Sequence, residues 1–138
     1  MHPRTRARLR GFDLESRLES AGGGGIRLLE PLPYIRFMSL VTDCRIAITD
    51  SGGIQEETSY LGIPCLTLRD NTERPITVTE GTNKLVRPAQ LSDALETALA
   101  AARPRPVIDL WDGKAAARVA ASLRRHAERH PLSRELFA

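Results

Sequence analysis

Aromatic side chains are scarce in this chain of 138 residues, at 4%. With 41% hydrophobic residues in all, the core has to come from Leu, Ile, Val and Ala. No basic patch is interleaved with aromatics, which argues against nucleic acid as a partner. Cysteine is limited to Cys44 and Cys65, each beside an apolar strand-like run, and this implies buried reduced thiols rather than a disulfide framework. No Cys/His spacing describes a metal site, so neither metal nor cofactor is expected. No apolar run approaches the roughly 18 residues of a membrane span. Met1-His2-Pro3-Arg4 is basic but lacks the apolar stretch of a signal peptide, so a soluble, cytoplasmic protein with no membrane partner is expected. Lysine is nearly absent as well. Only Lys84 and Lys114 stand among 20 basic residues, against 17 acidic ones. The net charge of +3 hints at anionic partners, and Arg suits bidentate phosphate contact. A solvated basic surface gives the same count.

The length fits one domain, residues 1–138. Leu9, Phe12, Leu14 and Leu18 predict an amphipathic helix over Thr5–Leu18 with a turn near Gly11. Gly22–Gly25 reads as a loop, and no Lys-Ser/Thr follows it, so it is not a Walker-type phosphate loop. Apolar runs predict four strands, at Ile26–Leu29, Arg45–Thr49, Cys65–Leu68 and Thr82–Val86. Helices are expected at Tyr34–Thr42, Ile54–Leu61, Ala89–Ala102 and Lys114–His130, with a short turn or helix reaching Glu80-Gly81. Tyr34, Phe37, Met38 and Val41 share one face of the first of these. Gly62-Ile63-Pro64 is a glycine C-cap followed by a helix-stopping proline. Strands alternating with helices give an α/β fold, a Rossmann-like parallel sheet with helices on both faces.

Ligands of such sheets bind beyond the carboxyl ends of the strands. The loop at Asp50-Ser51-Gly52-Gly53 stands at one such end, between an apolar strand and a helix. Two glycines let the backbone approach an oxyanion, and the helix start offers free N–H groups and the positive end of its dipole. Ser51 either caps the helix or donates to a phosphate. Gly52 and Gly53 either open a phosphate site or simply make a tight turn. Glu57, one turn past Gly53 on the same side, either binds a ribose diol or is a helix-start acid favoured by the dipole, as Glu56 is. Arg69, Asp70, Glu73 and Arg74 crowd a second strand-end loop, where Arg74 either clamps a ligand or joins weak surface ion pairs. Phe37 suits the core better than a base-stacking role. His2 matters only if it is held at the sheet edge. His126 and His130 share an exposed helix face.

The stretches DSGGIQEET and LGIPCLTLRDNTERPITVTEGTNKLV resemble the signature of the non-hydrolysing UDP-N-acetylglucosamine 2-epimerases. PLPYIRFMSLV, WDGKAAARVAASL and the opening HPRTRARL fit the same family, so the likeness runs from His2 to about Leu123. It implies the C-terminal, UDP-holding half of a fold like that of the B-type glycosyltransferases. By this resemblance His2, Ser51 and Gly53 contact the diphosphate, Gly52 supports the turn, Glu57 binds the ribose hydroxyls, Phe37 lies at the uracil and Arg74 reaches the substrate. The implied reaction interconverts UDP-GlcNAc and UDP-ManNAc by elimination and re-addition of UDP. Its acidic groups belong to an N-terminal domain absent here. The expectation is therefore a fragment that binds UDP weakly, is inactive alone, and needs that missing domain or a homo-oligomer partner. The donor-binding half of a B-type glycosyltransferase, or a non-catalytic UDP-sugar-binding module, are the alternatives.

Overall fold

The computed structural model describes residues 3–20 and 25–129, and these divide into two compact units at Asp43/Cys44. In the first unit the expected amphipathic segment is two helices, α1 (Pro3–Gly11) and α2 (Glu15–Ser20). The chain turns between them through Asp13, whose φ is +52°, and the Leu14 N–H donates back to the Leu9 carbonyl at 2.8 Å. Glu15 ties the corner through Arg10 Nε at 2.6 Å. Ile26–Leu29 is not a strand. Its Ile26, Leu28 and Leu29 are exposed, and no strand pairs with it among the described residues, so its β-propensity has no ladder to join. Helix α3 (Tyr34–Asp43) follows, as its apolar spacing predicts, with Val41 buried.

The second unit holds a parallel sheet in the order β1-β2-β3, formed by Ala47–Thr49, Cys65–Thr67 and Asn83–Leu85. Ala47 pairs with Cys65, and Cys65 with Asn83. Ladder bonds continue past these cores, from the Leu68 N–H to the Thr49 carbonyl and from the Val86 N–H to the Thr67 carbonyl, each at 2.9 Å. Parallel neighbours require crossovers. Helix α4 (Gly52–Leu61) provides the first, and the short α5 (Ile76–Thr79) lies in the second. Helix α6 (Leu91–Ala100), entered through a 3-10 turn at Pro88–Gln90, and α7 (Ala115–Arg129) complete the chain.

Side chains alternate across the sheet, and the two faces differ in chemistry. On one face Leu66, Val86 and the α6 residue Ala94 form the core, flanked by Ile46, Leu68, Leu91 and Leu95. On the other face Cys65, Thr67 and Asn83 meet the buried α4 residues Thr58 and Gln55. Helices therefore cover both faces, as expected. The α4 helix ends on Gly62, in the left-handed region at φ 67°, ψ 32°. Its N–H reaches the Ser59 carbonyl at 3.3 Å, and the Ile63 N–H reaches that of Thr58 at 2.8 Å, before Pro64 blocks further helix. Both cysteines are free thiols. Cys65 is buried, while Cys44 is only half-buried. No helix among the described residues is long and apolar enough to cross a membrane.

Candidate functional site

The loop after β1 is short. Thr49 ends the strand, and Ser51 stands at the N-cap with extended backbone, φ −85° and ψ 131°. Its N–H donates to Thr49 Oγ1 at 3.0 Å. Its hydroxyl makes no capping hydrogen bond. Gly52 and Gly53 are the first two residues of α4, and neither has positive φ. What the glycines supply is room. A Cβ on Gly53 would meet nothing within 4 Å, whereas one on Gly52 would collide with the Arg74 guanidinium. The result is a helix start without a side-chain cap, its first N–H groups and positive dipole end at the carboxyl edge of the sheet.

Arg74 crosses over this helix start. Its Nε stands 2.9 Å from Glu56 Oε2 without good hydrogen-bond alignment, and its Nη1 is 3.8 Å from Glu73. The Glu56 contact raises the Arg74 pKa above its ordinary value. Glu56, expected only as a dipole-favoured acid, is thus the partner of this arginine. Glu57 is half-buried, one turn down the helix from Gly53. Asp70 pairs with Arg87 at 2.9 Å, both well exposed, a surface pair of small weight.

Behind the turn lies a buried polar network. Gln55 is fully buried; its Nε2 donates to the Ser51 carbonyl at 3.3 Å. Gln55 Oε1 accepts from Thr72 Oγ1 at 2.6 Å and from Asn83 Nδ2 at 3.1 Å. Asn83 Oδ1 accepts from Thr67 Oγ1 at 2.6 Å, and Asn83 Nδ2 also donates to Thr77 Oγ1 at 3.2 Å. Sequence reasoning passed over these amides and hydroxyls, since each alone looks like a surface residue. The one available signal was their place inside the DSGG, TERP and EGT stretches. Gly81 of the last stretch serves packing, because a Cβ there would strike Thr77 backbone and the Ser59 hydroxyl.

The structure brings Ser51, Gly52, Gly53 and Arg74 together, with Glu57 on the same helix. Phe37 lies on α3 of the first unit and is 38% exposed, so it is not a core residue. His2 and His130 lie outside the described residues.

The family model for UDP-N-acetylglucosamine 2-epimerase matches residues 1–124, the glycine-opened turn and the Arg74 loop included. The chain belongs to the UDP-N-acetylglucosamine 2-epimerase family. A curated member from Methanocaldococcus jannaschii is 49% identical over 86 residues, covering 62% of this chain and 23% of that protein. The structure of UDP-GlcNAc 2-epimerase from the same organism superposes with a TM-score of 0.78 at 39% identity, over 91% of this chain and 34% of that one. A second structure of that epimerase, in complex with UDP-GlcNAc and UDP, gives a TM-score of 0.70 at 39% identity, over 88% of this chain and 34% of that one. The chain spans about a third of the length of these family structures.

Proposed function

We propose that this chain supplies the UDP-binding part of a cytoplasmic UDP-N-acetylglucosamine 2-epimerase, with UDP-GlcNAc and UDP as its ligands. The observation that carries the reading is the uncapped, glycine-opened start of α4 beneath Arg74. In this reading the α4 amides and the Ser51 hydroxyl receive the diphosphate, and His2 is a further diphosphate contact by the family resemblance. Glu57 accepts from the ribose hydroxyls, Phe37 lies at the uracil, and Arg74 contacts the substrate. The reaction inverts C2 of the sugar. A base removes the C2 proton, the anomeric C–O bond breaks with its electron pair going to UDP, and a glycal remains. UDP then adds back as C2 is reprotonated on the other face. The α4 start contributes by stabilising negative charge on the departing diphosphate. The base belongs to the part of the epimerase that this chain does not span.

Calorimetry of UDP binding tests the reading, with the parent beside a Ser51→Ala/Glu57→Ala double variant. Loss of two polar contacts lowers affinity at least about tenfold. Equal affinity in both proteins, or no binding by the parent up to about 1 mM UDP, overturns it.

A further inference from the structure

The buried network has a direction, and it ends on one residue. Thr67 donates to Asn83 Oδ1, which leaves both Asn83 Nδ2 hydrogens to serve Gln55 Oε1 and Thr77 Oγ1. Thr77 Oγ1, accepting from Asn83, donates onward to the Arg74 carbonyl at 2.8 Å. Thr72 Oγ1, donating to Gln55, accepts the Arg74 N–H at 3.1 Å. Both the N–H and the carbonyl of Arg74 are thus gripped by hydroxyls whose own orientation is fixed by a buried amide. The same Gln55 side chain holds the Ser51 carbonyl. Ser51 and Arg74 are thereby tied to one rigid frame, with the guanidinium lying over Gly52.

From this geometry we infer that Gln55 and Asn83 are positioning residues: acting through Thr72 and Thr77, they fix the Arg74 backbone relative to the Ser51 turn, so that the guanidinium meets an anion held there. Neither amide lies at the exposed turn; Gln55 is fully buried and Asn83 is 5% exposed. The Thr67, Thr72 and Thr77 hydroxyls and both Asn83 Nδ2 hydrogens each have an acceptor, and buried hydrogen bonds linked in this way restrict the groups they join to one geometry. The inference rests on the proposed function only for the identity of the anion.

Two measurements on the full chain test it. The first, amide hydrogen exchange, needs no ligand. Thr72→Val, at a half-buried site, and Gln55→Met both lower protection of the Arg74 amide about tenfold or more, while the Leu66 amide in the core keeps its protection. Thr72→Ser, which retains the hydroxyl, restores it. Unchanged Arg74 protection in Thr72→Val with the core intact overturns the inference. The second compares UDP with uridine. Thr72→Val weakens UDP roughly tenfold, as expected for a contact to a charged group, and leaves uridine unchanged. Adding Arg74→Ala produces no further loss, because the two changes remove one interaction. Parallel losses for UDP and uridine, or losses that add, overturn it. A parent that binds no UDP sinks the proposed function instead, and the exchange result alone then decides the positioning role.

Discussion

Gly53 marks where the start of α4 is open to solvent, and it separates stability from binding. A Cβ there meets nothing within 4 Å, and the backbone is helical. Gly53→Ala should therefore stabilise the free chain by about 0.5 kcal/mol through helix propensity and the unfolded state, while the added methyl obstructs an anion on the turn. Urea denaturation and UDP calorimetry on one preparation check both halves, and lower stability or undiminished UDP affinity counts against the assignment. The glycine pair was legible in the sequence, but its reason was not. A Gly-Gly after a strand looks like a turn, and only coordinates show it inside the helix with Arg74 against its first member. Gln55 and Asn83 were legible only as members of the family stretches, not in their role. Each is an unremarkable polar residue until chain folding sets them side by side 28 positions apart.

Local rules work best on elements whose ends carry their own signals. Helix α4 stops where Gly62-Ile63-Pro64 says it should, since the left-handed residue and the following proline act without help from the rest of the fold. That makes Gly62 the place to break the element. At φ +67°, a Cβ would also sit 2.6 Å from the Pro104 carbonyl oxygen. Gly62→Ala should cost about 1–2 kcal/mol from the backbone alone, with the contact adding to it. Urea denaturation checks this, and a change below about 0.5 kcal/mol, the level of an ordinary surface substitution, would show that the Pro104 segment simply moves aside. Ile26–Leu29 is the opposite case. Its composition is that of a strand, yet a strand exists only through its neighbour, and no residue within the segment encodes one. The three strands among the described residues are likewise shorter than the runs that predicted them, because ladder pairing rather than hydrophobicity sets their ends.

For the molecule as a whole, the polar face of the sheet makes stability depend on alkaline pH. Burial raises the Cys65 thiol above its ordinary pKa, more than its contacts with Thr58 and Thr67 lower it. A raised folded pKa means that the neutral thiol contributes its stability in full below the unfolded value, near 8.5. That contribution is lost as pH rises toward the folded value. Thermal midpoints should fall between about pH 8 and pH 10, and Cys65→Ala should flatten the slope. An unchanged slope would assign the loss to other groups.

The sequence by itself determined the alternation of parallel strands and helices, the cap that ends α4 and, through the DSGG and TERP stretches, the family. These follow from short-range periodicity, residue chemistry at element ends and motif spacing. Tertiary structure alone decided that the glycines begin a helix, that Arg74 pairs with Glu56 and Glu73, and that a chain of amides and hydroxyls ties the Arg74 backbone to the turn. Those features depend on which distant groups become neighbours, and burial is what makes their hydrogen bonds specific.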